Sequence, residues 1–206
     1  MDERIERTNR PAARLGRVAF VVFDRMTTLD FLGVFDPVTR LRTMGFWPEL
    51  TWDICALQPV VTDIAGLRVL ADRVGEPLSS YDLLVVPGGY GTRALEQDQA
   101  FLAWLRTAEP VPYKAAVCTG SVLLGAAGFL RDRAATTHPS AYQELAPYCA
   151  SVIDQRIVDT GEVVTAGGVT SSIDLGLYLV GKLAGPEIRQ RIRQQMDYPY
   201  EWASSG

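Results

Sequence analysis

Short apolar runs alternate along this chain with longer segments whose apolar residues recur every three or four positions. Arg17-Val-Ala-Phe-Val-Val-Phe23 is continuously apolar after its first residue and stops before Asp24, the pattern of a strand buried on both faces. Between Asp30 and Met44 the apolar residues Phe31, Leu32, Phe35, Val38, Leu41 and Met44 fall at helical spacing, which predicts a helix there. Leu50–Leu57 and Tyr81–Pro87 read as further strands, the second closed by Pro87-Gly88-Gly89. Thr62–Leu70 reads as a small hairpin with Gly66 near its turn. A helix is expected over about 98–108, then a strand into Cys118 and a helix to about Ala127. Ala134–Thr137 reads as a short strand and Pro139–Leu145 as a short helix. Two β-like runs flank Asp159-Thr-Gly161 within 152–166. Ser171 or Ser172 is positioned to cap a helix to Leu183, and Pro186 to start a last one to about Gln195. Strands and helices in alternation imply a mostly parallel sheet covered by helices on both faces, an α/β architecture.

Ligands of such sheets bind at the carboxyl ends of the strands, and three segments bring chemically useful residues there. The first strand leads to Asp30, the Val85-Val86 strand to Gly88 and Gly89, and the Ala115–Val117 strand to Cys118. A cysteine between a buried strand and a helix is forced outward at a tight turn, where a helix N-terminus lowers a thiol's pKa. Free cysteine is also common as plain core packing, and both readings fit the local residues. Convergence of the three segments on one edge favours the reactive one. Asp30 has an ordinary reading as a helix cap, Thr119 as a helix start, and Gly88-Gly89 as a tight turn. Cys55, inside an apolar strand, and Cys149, near Pro147, are expected to be inert. Phe31, Trp47 and Tyr90 are core or pocket aromatics.

Composition narrows the function classes. The 206 residues are 48% hydrophobic and 21% charged, with a formal net charge of −4; one core of useful size fits that length, and a basic nucleic-acid footprint is missing. A single domain is expected over residues 17–200, after a flexible arm over 1–16 that lacks the apolar stretch of a signal peptide. No apolar run approaches the ~18 residues of a membrane span. Three cysteines without Cys-x-x-Cys spacing and a single histidine give neither a disulfide framework nor a zinc site. A reduced, cytoplasmic protein without a metal is expected.

Val85-Val-Pro-Gly-Gly89, Ala116-Val-Cys-Thr-Gly120 and Ala135-Thr-Thr-His-Pro139, in that order, resemble the signature segments of the ThiJ/PfpI superfamily, relatives of the class I glutamine amidotransferases. The similarity runs from about Arg17 to the helix near Leu183. Within the superfamily the chain most resembles the isonitrile hydratase branch, through Leu29-Asp30, Cys118-Thr119-Gly120 and Gly167-Gly-Val-Thr170. The protease-like branch has histidine directly after its nucleophile, where this chain has Thr119. Pro139 departs from the aromatic residue frequent in hydratases, and the C-terminus is short; both bear on substrate choice.

The resemblance implies a flavodoxin-like fold with a cysteine nucleophile elbow and a homodimer. It also implies cofactor-independent hydration of a small organic isocyanide to an N-substituted formamide. Cys118 would be the nucleophile, Asp30 an acid beside its sulfur, and Thr119 a positioning group for substrate or water. Gly88 and Gly89 would offer backbone N–H groups, and His138 would line the pocket. Asp174 is a lesser candidate, its ordinary reading being a first-turn helix acid. Glyoxalase- or deglycase-type chemistry on small carbonyl compounds is the alternative enzymatic reading. A redox-sensing or ligand-binding role is the non-enzymatic one, although the helix-turn-helix region that accompanies regulators of this superfamily is not expected here.

Overall fold

The computed structural model describes residues 15–200, so the expected N-terminal arm lies almost wholly outside the described residues. In chain order the elements begin β1 (Arg17–Val21), α1 (Thr28–Thr43), β2 (Thr51–Ala56), β3 (Val60–Thr62), β4 (Arg68–Leu70), β5 (Arg73–Val74) and β6 (Leu83–Val86). They continue with α2 (Thr92–Leu95), α3 (Gln99–Arg106), β7 (Tyr113–Val117), α4 (Gly120–Ala126), β8 (Ala134–Ala135), α5 (Tyr142–Leu145) and β9 (Ser151–Val152). The last are β10 (Ile157–Asp159), β11 (Val163–Ala166), α6 (Ser171–Ala184) and α7 (Pro186–Gln195).

Seven strands form the main sheet in the order β10-β11-β7-β6-β1-β2-β5. All neighbours are parallel except the β10–β11 hairpin at one edge. β6 and β11 are buried at every residue, and β1 and β7 at every residue after the first. Their mostly apolar runs fit that cover, since a strand buried on both faces has no solvent side. The buried Lys114 of β7 donates to Val111 O at 2.6 Å, and the buried Thr165 of β11 accepts from Thr136 N at 2.9 Å. One helix group, α1 with α6 and α7, and a second, α2 with α3 and α4, provide the cover. The architecture is the flavodoxin-like α/β fold expected from the sequence. β3 and β4 form the separate small hairpin, with Gly66 at φ +94 in its turn.

Two helix starts differ from expectation. α1 begins two residues before Asp30, with Thr27 at its cap position, so Asp30 lies in the first turn with its carboxyl inward. α6 is preceded by Thr170, and the hydroxyls of Ser171 and Ser172 bond backward instead of capping. Ser171 Oγ donates to Gly168 O at 2.6 Å, and Ser172 Oγ to Val169 O at 2.8 Å and Leu29 O at 3.1 Å. β5, β9 and α2 are too short to leave a periodic signal and were not anticipated.

The α1–α6 contact fixes where Asp30 sits. Pro37 inside α1 cannot donate to the Gly33 carbonyl, and that carbonyl faces Gly176 of α6. A Cβ on Gly33 would stand 2.0 Å from Ser172 Oγ, and one on Gly176 2.9 Å from Gly33 O. Gly33→Ala is therefore expected to push the helices apart and cost about 1–3 kcal/mol, read as a fall in the urea midpoint at unchanged m-value.

Candidate active site

The ends of β1, β6, β7 and β11 bring together four loops, and Cys118 lies at their centre. Its backbone sits at φ +55, a left-handed conformation that costs a non-glycine residue of order 1–3 kcal/mol and persists only where neighbours over-determine it. Here they do. The Cys118 N–H donates to the carbonyls of Ala166 at 3.0 Å and Gly167 at 2.8 Å, and its own carbonyl accepts from Thr137 Oγ1 at 2.7 Å. Gly120 lets the turn close against β6, since a Cβ there would stand 2.4 Å from Val86 O. Gly88 is equally constrained, with Thr119 N at 2.6 Å and Cys118 Cβ at 2.8 Å from any added methyl. The elbow expected from the sequence is thus present. Thr137 is a part of it that sequence reading passed over, although it stands in the same Ala135–Pro139 segment as His138.

Asp30 is fully buried, and its Oδ2 accepts from Gly88 N at 3.0 Å. Its Oδ1 is buried without an N–H or O–H partner. Burial pushes the carboxyl from its ordinary 3.8 up to about 7, against the opposing pull of the Gly88 N–H and the Cys118 thiol. The thiol moves the same way, up to about 12. Burial is the main cause and the Asp30 charge the next, with the Thr119 N–H and hydroxyl pulling it back. This reverses the expectation of a thiol lowered by a helix end: α4 is too short, and the sulfur too enclosed, for that effect to win. The two groups titrate as a pair. Because the thiol is raised further than the carboxyl, the carboxyl is the first of the two to lose its proton as pH rises.

The glycine N–H groups are also committed differently from expectation. Gly88 N–H is taken by Asp30, and Gly89 N–H donates to Thr119 Oγ1 at 3.0 Å. The two glycines therefore hold the carboxyl and the hydroxyl, and the backbone donor beside the sulfur is the N–H of Thr119. Gly89, at φ +130, also pairs with Met26 in an isolated bridge and has no room for a side chain, with Thr27 N 2.5 Å from an added Cβ.

His138 is half-buried, and its Nδ1 is engaged by Ser140 Oγ at 2.8 Å and Ser140 N–H at 3.2 Å. It packs against Gly168, in the loop after β11, and among the described residues it makes no hydrogen bond to Cys118. A thiol–imidazole pair is not formed. Asp174 is taken by Arg156 and by Tyr198, whose hydroxyl donates to Oδ1 at 2.9 Å. Phe31 and Trp47 are core residues, while Tyr90 is 60% exposed. Cys55 is buried beside the Tyr81 hydroxyl, 3.5 Å away, and burial pushes its thiol up to about 11; the half-buried Cys149 is raised for the same reason.

Among the described residues no cluster of metal-ligating side chains exists, and no helix is long and apolar enough to cross a membrane. The model of the DJ-1/PfpI family matches residues 16–182, four strand ends and elbow included. The chain belongs to the DJ-1/PfpI family. It is 34% identical to an isonitrile hydratase of Pseudomonas putida, over 88% of this chain and 78% of that protein. It is 35% identical to the HTH-type transcriptional regulator CdhR of Pseudomonas aeruginosa, over 85% of this chain but only 53% of the regulator. Among solved structures, a ThiJ/PfpI family protein from Pseudomonas syringae superposes with a TM-score of 0.81 at 28% identity, covering 100% of this chain and 84% of that one. Drosophila melanogaster DJ-1beta shares the fold, with a TM-score of 0.76 at 21% identity, covering 89% of this chain and 98% of that one. The family thus includes both a named enzyme and regulators.

Proposed function

We propose that this protein hydrates an organic isocyanide to the N-substituted formamide, using Cys118 and Asp30 and no cofactor. The observation that carries the reading is a buried carboxyl, Asp30, hydrogen-bonded to a buried thiol, Cys118, at the strand-to-helix elbow. An isocyanide carbon must gain both a nucleophile and a proton, and this pair offers both at one point. The 34% identity to a protein named isonitrile hydratase supports the same chemistry.

The steps balance without an external reagent. Asp30 carboxylate takes the thiol proton as the sulfur forms a bond to the isocyanide carbon. The carboxyl then returns that proton to the same carbon, leaving a thioimidate, Cys–S–CH=N–R. Water adds to the thioimidate carbon, with one of its protons going to nitrogen. The C–S bond breaks, the sulfur leaves as thiol after recovering the remaining proton through Asp30, and the product is R–NH–CHO. The Thr119 N–H faces the sulfur and stabilises negative charge there. The Thr119 hydroxyl, fixed by Gly89, keeps that loop in place.

This assignment fixes the pH dependence. Below about 7 Asp30 is protonated and cannot accept the thiol proton; above it the pair holds the one proton the reaction needs. With a soluble alkyl isocyanide and formamide read by chromatography, kcat/KM is expected to rise through about pH 7 and then stay level. No formamide, or a rate that falls as pH increases through this range, overturns the reading.

A further inference from the structure

A cavity of about 230 Å³ opens at the C-terminal ends of β1 and β2, between the β3–β4 hairpin and helices α2 and α3. Neither Cys118 nor Asp30 lines it. Phe23, Val61, Leu95 and Phe101 form its apolar walls, and its polar groups are Asp24, Arg25, Gln58 and Asp98.

The backbone of this cavity is held in a costly conformation. Arg25 has φ +61, left-handed for a long side chain, and both of its backbone groups are tied down. Its N–H donates to Thr62 O at 2.7 Å, and its carbonyl accepts from Gly91 N at 3.2 Å. Gly91 is obligatory at this approach, since a Cβ would stand 2.1 Å from Asp24 O and 3.1 Å from Phe23 Cδ2. Strain of this kind collects at binding and catalytic sites. The Arg25 guanidinium is exposed and has no partner among the described residues. Asp24 and Asp98 each commit Oδ1 to backbone N–H groups, of Thr62 for the first and of Ala100 and Phe101 for the second. Each keeps Oδ2 for another donor.

We propose that this cavity binds a small apolar amino acid, its carboxylate on Arg25, its ammonium on Asp24 and Asp98, and its side chain against Phe23 and Phe101. Charge of both signs at the rim above an apolar wall selects this class. A simple carboxylic acid would bring its charge beside two aspartates, and a simple amine would leave Arg25 facing a second cation. The volume matches roughly eight water-sized groups at ~30 Å³ each, the size range of valine or leucine and below that of drug-sized ligands. The guanidinium fork suits a carboxylate in two-point contact. The site stands apart from the hydration chemistry and does not depend on it.

Calorimetric titration of the purified protein tests this with L-leucine, its decarboxylated analogue 3-methylbutylamine and its deaminated analogue 4-methylpentanoate. Leucine is expected to bind, and each one-charge analogue at least about tenfold more weakly, the loss of one charge-assisted contact. Arg25→Gly removes the guanidinium while relieving the positive φ, so it should fold at least as well and lose leucine affinity by about tenfold or more. Ala94→Phe, which fills the cavity from α2, should abolish binding. Cys118→Ala should bind leucine as the wild type does, which separates this site from the elbow. No heat with leucine up to about 10 mM, equal affinity for either analogue, or undiminished binding by Arg25→Gly each overturns the proposal.

Discussion

Cys118→Ala is expected to reduce formamide production to background, a loss of at least about 10⁴-fold, as for other enzymes stripped of a covalent nucleophile. With the sulfur gone, water would have to attack the isocyanide directly. Asp30, facing only a methyl group, would have no proton to exchange. Cys118→Ser should be nearly as inactive, because its hydroxyl is far less acidic than even this raised thiol and presents a harder atom to a soft carbon. Neither loss would be a folding defect. Alanine and serine occupy φ +55 at the same cost as cysteine, and the bonds that hold the elbow run through backbone atoms of Cys118 and the hydroxyl of Thr137. Stability of Cys118→Ala in urea is therefore expected within about 1 kcal/mol of wild type. Trapping of a protein adduct heavier by the mass of the isocyanide, on the wild type and not on Cys118→Ala, would identify the thioimidate. Turnover by Cys118→Ala at more than a small fraction of the wild-type rate would exclude a covalent path.

The elements that could be read from sequence are those whose burial forces a pattern. β1, β6, β7 and β11 are covered on both faces, so their residues had to be mostly apolar, with Lys114 and Thr165 as hydrogen-bonded exceptions, and α1, α3 and α6 had to repeat at helical spacing. Because parallel strands place all their carboxyl ends on one edge, Asp30, Gly88 and Cys118 could be brought together without coordinates. Direction and partner were another matter. The Gly88 and Gly89 N–H groups looked free to face a ligand, but they are taken by Asp30 and Thr119, contacts across 58 and 30 positions of chain that no local pattern records. The sign of the thiol shift is likewise set by burial and by the Asp30 charge, neither of which the local residues display. A helix start after Cys118 is visible in the sequence, whereas the burial of its sulfur and of Asp30 comes from segments distant along the chain, and α1, which carries Asp30, packs on α6 through the Gly33–Ser172 and Gly176–Pro37 approaches. His138 carried a family position, yet its ring is engaged by Ser140, two residues away.

Asp30→Asn should separate catalysis from stability, because the two effects run in opposite directions. The carboxyl ionises at 3.8 in an unfolded chain and at about 7 in the folded one. A group whose pKa is raised by folding contributes stability that is complete below its unfolded value and is lost as pH rises through the folded value. The wild type should therefore lose about 4 kcal/mol of stability from this group between about pH 4 and pH 7. Asparagine is nearly isosteric, can still accept from the Gly88 N–H through its Oδ1, and carries no charge to bury. Its variant should match the wild type near pH 4 and exceed it by roughly 2–4 kcal/mol at pH 8, measured by urea unfolding at the two pH values. Catalysis moves the other way. An amide cannot accept the thiol proton or return it to carbon, so kcat should fall by about 10²–10⁴-fold, the usual range for loss of general acid–base help. What activity remains should lose its inflection near pH 7. A residue that served only to cap or pack α1 would give the opposite result on substitution, a less stable protein with the wild-type pH profile. That outcome would remove Asp30 from the reaction. A more stable protein with no inflection would place the proton of the mechanism on this carboxyl, since burying a charge against the fold's own interest is explained by the chemistry it performs there.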